Sequence, residues 1–475
     1  MADRPNILVF MTDQQQGLTT DPGYPCLTPV ADRFASAGMH FNRAHTVTAL
    51  CAPARASLVT SLYPFRHGMW NNPHVPQSIR RAPYPGLPMF SHRLKEAGYR
   101  LYHTGNWHVE HEGKGPGAFG WETDDAATSA RIWGTYPGSD KEIRTDAHML
   151  KRAGYPDYLL YGTVHAGVEA FSEYRRAVHG AGMVKKLAQG AGPWCLYVGT
   201  HGPHDPYIAP EKYARMYEPK KVPLPASYGD EMEDKPGIYR RLRREVWGSV
   251  TPENAREAIA HYWAYCTMLD YCFGEVLAAL EATGQAENTL AVFTSDHGDM
   301  MGAHGLFFKG IPAFEECYRI PMLARWPVGL KPGGACDEFT TLMDLGPTFI
   351  ELAGGRPLED VNGRSLVPLM QGRVPPDWPG EFYGMFLGTE LLYSQRILTG
   401  RKWKYVFNGF DFDELYDLEA DPGETRNLYH FPEHRRTLEE MVALMWKRAK
   451  AEKDEPALPD YPTVALPPIG PGGPS

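Results

Sequence analysis

The chain has 475 residues, 43% of them hydrophobic, and its 48 basic against 57 acidic side chains leave a formal charge of −9. That length favours more than one structural unit. The charge balance, with acidic residues scattered throughout, excludes a basic nucleic-acid-binding face as the organising feature.

No stretch approaches the roughly 20 apolar residues that cross a bilayer. The N-terminus has one apolar run of five residues and then turns polar, short of a secretory signal. The expectation is a cytoplasmic protein with no membrane partner. Seven cysteines, an odd number with no C-x-x-C pair, argue against a disulfide framework and against a thiolate zinc site. Any metal should be held by oxygen and imidazole.

In chain order, short apolar runs at 7–11, 100–103, 194–198 and 290–293 alternate with helical patterns at 29–38, 91–98, 258–283 and 345–353. Strands alternating with helices predict an α/β fold, a mostly parallel central sheet sandwiched by helices. After residue 372 the pattern changes to short β segments followed by a helix over 432–450. The expected organisation is a catalytic α/β unit at 1–372, a smaller C-terminal unit of antiparallel sheet plus helix at 373–454, and a Pro-rich tail at 455–475. That tail reads as disordered or as an arm exchanged in a homodimer or homotetramer.

In open parallel sheets, ligands sit beyond the carboxyl ends of the strands. The residues there are Asp13 and Gln14, Asn106 and His108, His201 and His204, and Asp296 and His297. Asp13, Asp296 and His297 suit a hard divalent cation, although "TSDHGDMMGAHG" also reads as a polar turn capping a helix. Lys309 becomes a second cation beside that metal only if its loop folds back; otherwise it is a surface lysine. His204, between prolines, is placed to protonate a leaving group or is simply a loop histidine.

The segment "CAPAR" puts Cys51 at a helix start, because Pro53 fits a first turn. That position favours a thiolate or a bound oxyanion, with Arg55 one turn on to fork a hydrogen bond to either. The plainer reading is a buried cysteine and a surface arginine.

Taken together, "PNILVFMTDQQ", "CAPARASLVTSLYPFRHG", "TGNWH", "PHDPY", "TSDHGDMMGAHG" with Lys309, and "ELYDLEADPGETRNL" resemble the sulfatase family of the alkaline phosphatase superfamily over nearly the whole chain. In that family C-x-P-x-R marks a cysteine converted to formylglycine by a formylglycine-generating enzyme. The resemblance implies an alkaline-phosphatase-like fold in which one hydroxyl of the hydrated aldehyde attacks the ester and the other expels the product. It further implies that Asp13, Asp296, His297 and the modified Cys51 bind the metal, Ca²⁺ first and Mn²⁺ as the alternative. Gln14 then adds an oxygen to that set or binds the substrate with Asn72 and Asn106, Arg55 orients the nucleophile, and His108 is the base that helps expel the product. His204 and Lys309 hold the anion and protonate the leaving alkoxide.

Two positions depart from the pattern. Asn106 stands where many sulfatases carry Lys, and His297 where many carry Asn. His297 together with Asn72 also resembles bacterial phosphonate monoester hydrolases. The implied activity is hydrolysis of a small anionic sulfate monoester. The alternatives are a phosphonate monoester or phosphodiester hydrolase of the same fold, and a non-catalytic anion-binding protein with Cys51 unmodified.

Overall fold

The first apolar run becomes strand β1 (Asn6–Asp13), in which every residue is buried. A strand with no polar face must be covered on both sides, as in a parallel sheet between helices. The computed structural model describes residues 4–110, 115–123, 146–151, 154, 156–389 and 392–458. Around β1 it assembles β2 (Met39–Phe41), β3 (Arg100–Gly105), β4 (Glu122–Thr123), β5 (Trp194–Pro203), β6 (Thr289–Ser295), β7 (Met322–Arg325) and β8 (Gly334–Cys336). Their order is β8-β2-β7-β6-β1-β5-β3-β4. The run β6-β1-β5-β3-β4 is parallel. Strand β7 alone runs against its neighbours β6 and β2, so the sheet is mixed.

Successive β1 side chains point to opposite faces, and they define two cores. Leu8 and Phe10 pack with Phe34, Val184 and Phe273 from α1 (Pro29–Ser36), α4 (Ser172–Ala188) and α5 (Pro252–Ala282). Ile7, Val9 and Met11 pack with Leu58, Phe90 and Phe349 from α2 (Cys51–Thr60), α3 (Phe90–Glu96) and α6 (Leu345–Leu352). Helix α5 starts six residues before its apolar periodicity does. Thr251 caps it by accepting from the Asn254 N–H at 3.2 Å, and Pro252 occupies the first turn.

The C-terminal sheet is an antiparallel meander, β9 (Phe382–Gly388), β10 (Leu392–Thr399), β11 (Trp403–Asn408) and β12 (Glu414–Asp417). Helix α7 (Arg435–Ala451) closes it, with Trp446 edge-on to Phe407 at 5.2 Å. A small sheet of His148–Leu150, Tyr158–Val164 and Tyr207–Pro210 was not anticipated. Two of its strands pair across more than 40 residues of intervening chain, a relation that local periodicity does not carry. Most of the Pro-rich tail, 459–475, lies outside the described residues. Among the described residues no helix is long and apolar enough to cross a membrane.

Candidate active site and metal centre

Strands β6, β1, β5 and β3 lie side by side and end nearly level: Met11 pairs with both Thr294 and Gly199, and Gly199 with Gly105. Their carboxyl ends therefore deliver Asp13, Asp296, His297, His204 and Asn106 to one place. Cys51 is the first residue of α2, whose ten residues are all buried. Asn72 Oδ1 accepts from the Ala52 N–H at 3.0 Å and satisfies one of the open donors at that helix start. Asn72 thus helps fix the Cys51 turn.

Cys51 Sγ lies 3.1 Å from His297 Nε2 and 3.6 Å from Asp13 Oδ1. One donor atom from each of Asp13, Cys51, Asp296 and His297 falls within 4.8 Å of the others, all four residues being buried. His297 Nδ1 is 2.9 Å from the Gly298 carbonyl, which makes Nδ1 the protonated nitrogen and turns the Nε2 lone pair toward the cluster. Burial holds this imidazole below its usual pKa despite Asp296 and Asp13, so the neutral, ligating form is favoured.

Arg55 separates the two oxygens of each carboxylate. Its Nε donates to Asp296 Oδ2 at 2.8 Å and one terminal nitrogen to Asp13 Oδ2 at 3.1 Å, while the other reaches the Asn106 carbonyl at 3.0 Å. Oδ1 of Asp13 and Oδ1 of Asp296 then face His297 Nε2 at 3.8 and 3.7 Å. Arg55 therefore grips the ligand carboxylates. Asn106 adds a donor to Asp13 Oδ2 at 2.9 Å.

Burial raises the Asp13 carboxyl, but Arg55, His204, His297 and Lys309 outweigh it and the net shift is downward. Cys51 goes the other way. Burial and Asp13 push its thiol well above the ordinary value, against Lys309 and Arg55. The thiolate that the helix start favours on sequence grounds is outweighed here by loss of solvent and two adjacent acids.

Across from this cluster, Lys309 Nζ donates to Gln14 Oε1 and meets His204 Nε2. Its loop does fold back over the site. Burial alone would lower the Lys309 pKa, but Cys51, Asp205, Asp13 and Asp296 raise it, so it stays an ammonium. His204 Nδ1 is 2.7 Å from the Asp205 carbonyl, and its ring stacks on His201 at 4.8 Å. His108 stacks on His74 at 5.5 Å, and burial with Arg55 and His74 holds it well below its usual pKa. Gln14 occupies the left-handed region at φ 72°, and its amide oxygen is given to Lys309.

Sequence reasoning missed Asp205 and Asp299, both partners of Gln14. Asp299 lies two residues past His297 in "DHGD", and that spacing was the available signal. The donor set fits a hard divalent cation, with two oxygen ligands, one imidazole and a carboxylate surplus, better than a soft one. An oxygen at position 51 suits such an ion more than sulfur does.

A model described as "Sulfatase" matches residues 5–355, and one described as "N-sulphoglucosamine sulphohydrolase, C-terminal" matches 302–451. The chain is 30% identical over 462 residues to a choline-sulfatase of Rhizobium meliloti, covering 90% of this chain and 83% of the relative. It is 26% identical to a multifunctional alkaline phosphatase superfamily protein of Trinickia caryophylli, over 95% of this chain and 96% of that one. It superposes on a phosphonate monoester hydrolase of Silicibacter pomeroyi with a TM-score of 0.79 at 23% identity, over 94% and 96% of the two chains. With a family match over most of its length and a buried Cys, Asp, Asp and His cluster at the strand ends, the chain belongs to the sulfatase family of hydrolases.

Proposed function

We propose that this enzyme hydrolyses a sulfate monoester at the Cys51 cluster, after a formylglycine-generating enzyme has converted Cys51. The observation that carries the reading is the meeting of Cys51, at the start of a C-x-P-x-R helix, with donor atoms of Asp13, Asp296 and His297 inside 4.8 Å. The modified residue supplies a hydroxyl nucleophile, and a divalent metal, Ca²⁺ in our reading, supplies charge neutralisation beside it. Asp13, Asp296 and His297 hold that ion, and Arg55 keeps both carboxylates aimed. Lys309 and His204 form the opposite wall, where a cation and N–H groups stabilise the ester's oxygens. His204, tied to the Asp205 carbonyl through Nδ1, and the Lys309 ammonium that meets its Nε2 are together placed to give a proton to the departing alkoxide, and His108 to take one as product leaves.

His297, together with Asn72 at the Cys51 turn, favours a second reading, hydrolysis of a phosphonate monoester or phosphodiester, with Mn²⁺ as the alternative ion. Steady-state kinetics on one modified preparation, with an aryl sulfate, choline O-sulfate, a phosphodiester and a phosphonate monoester, ranks the two. The sulfate reading expects a sulfate to lead in kcat/KM by about tenfold or more; a leading diester hands the assignment to the second. Mass spectrometry of the tryptic peptide 44–55 from the native host decides between either enzyme and a protein that only binds anions. A peptide found wholly as thiol removes the formylglycine mechanism.

A further inference from the structure

Asp299 has no assigned part in this site, yet four hydrogen bonds converge on its fully buried carboxylate. Oδ1 accepts from the backbone N–H groups of Met301 at 2.9 Å and Phe308 at 3.0 Å. Oδ2 accepts from Gln14 Nε2 at 2.5 Å and from the Tyr207 hydroxyl at 2.7 Å. Phe308 directly precedes Lys309, and Gln14 Oε1 is the acceptor for the Lys309 ammonium. One carboxylate thus holds Lys309 from two sides, through the main chain before it and through the amide in front of it.

Chemistry makes the second route directional. An amide has two donors on nitrogen and an acceptor on oxygen. Both Gln14 donors are taken by acceptors, one by Asp299 Oδ2 and one by Asp205 Oδ1 at 3.0 Å. That leaves only oxygen to face Lys309. Rotating the amide would turn its N–H groups onto an ammonium and its oxygen onto two carboxylates. We propose that Asp299 is a positioning residue that sets the Gln14 amide and so aims the Lys309 ammonium at the anion-binding wall. The proposal rests on the reading of Lys309 as an anion-holding group.

Asp299→Asn separates the two routes. The asparagine oxygen keeps the two backbone N–H groups, because both go to Oδ1, and its NH₂ then faces the NH₂ of Gln14. The expected loss in kcat/KM is about tenfold or more, the scale of one mis-set buried hydrogen bond. Inhibition by inorganic sulfate should weaken in parallel, which a purely structural role would not cause. Gln14→Glu should lose activity as well, since its carboxylate faces Asp205 and Asp299. The double variant Q14E/D299N restores a donor opposite an acceptor and keeps an oxygen on Lys309. Asp205 still opposes the introduced carboxylate, so recovery is partial, about tenfold above Q14E alone.

Melting midpoints are read for all three. If D299N does not fold, the comparison of Q14E with the double variant still decides, and a double variant no better than Q14E overturns the proposal. So does an additive pair of losses, or a sulfate inhibition constant unchanged in D299N. Absence of turnover in the modified wild type on every ester overturns the reading of the site itself. Turnover in wild type without rescue overturns only the role of Asp299.

Discussion

Both the strand-end site and the C-terminal meander bury charge, but they settle it differently. In the meander, Arg396 meets Asp454 at 2.5 and 2.9 Å through two nitrogens, and Lys404 meets Glu424 at 2.6 Å, all four side chains at most 1% exposed. Each cation there has its own carboxylate. At the strand ends one guanidinium, Arg55, is shared by two carboxylates, Asp13 and Asp296, beside His297 and Cys51. Unpaired buried charge is costly unless something compensates it. A surplus of negative charge beside an imidazole and Cys51 is the electrostatic form of a divalent-cation site, whereas one-to-one pairing is that of a structural lock.

The largest effect expected from breaking this contrast is at Cys51. Cys51→Ala should leave the carboxylate cluster and the fold intact while reducing kcat by about a thousandfold or more, as expected for loss of a covalent nucleophile. Single-turnover kinetics on equal amounts of folded protein reads this. Retained turnover would mean that the reaction does not pass through position 51.

Removal of the cation should come next. Dialysis against a chelator should lower activity about a hundredfold, and lower stability by about 3 kcal/mol for an ion held at a hundred times its Kd. Re-addition of Ca²⁺ and Mn²⁺ in separate arms identifies the ion. Melting that ignores the chelator would mean that the carboxylate surplus is balanced by protons.

The locks in the meander should respond in the opposite sense. Asp454→Asn leaves Arg396 buried without its partner and should cost about 3 to 5 kcal/mol, with kcat per folded molecule unchanged. Replacing both partners by apolar residues, R396M/D454L, should recover most of that loss, because no charge then remains to be compensated. Denaturant titration of the three proteins reads both effects. A fall in kcat in Asp454→Asn would couple the two regions that the contrast separates.

Much of this contrast was legible in the chain. The four apolar runs became adjacent strands, and the residues following them met, because a parallel sheet places consecutive strand ends on one edge. Cys51 and Arg55 were legible through Pro53 and their spacing. Which atoms Arg55 grips was not, since Asp13 and Asp296 lie 42 and 241 residues away in sequence. Asp205 escaped for the same reason, and the "DHGD" spacing that marks Asp299 does not show the Gln14 amide the two share. The pairing of the Gln14 oxygen with Lys309, 295 residues on, was likewise beyond local pattern. The start of α5 was hidden because a capped, solvent-facing first turn has no apolar face.

The smallest expected effect concerns a third way of holding a buried charge, by backbone alone. Asp270 on α5 is 1% exposed and accepts from the Val30 and Ala31 N–H groups at 2.8 and 2.7 Å, at the first turn of α1. Burial pushes its carboxyl up to about 7, against the pull of those two N–H groups. A carboxyl that titrates higher in the folded chain than in the unfolded one binds its proton more tightly when folded. Its contribution to stability is therefore complete below about pH 4 and fades as pH rises toward about 7, by roughly 1 kcal/mol or more. Asp270→Asn has no proton to lose, so its stability should fall less steeply than that of the wild type across this window. Urea titrations of both proteins at several pH values measure the two slopes. Equal slopes would show that the helix-end N–H groups hold Asp270 ionised throughout, and backbone dipoles would then rank with Arg396 and Lys404 as full partners for a buried charge.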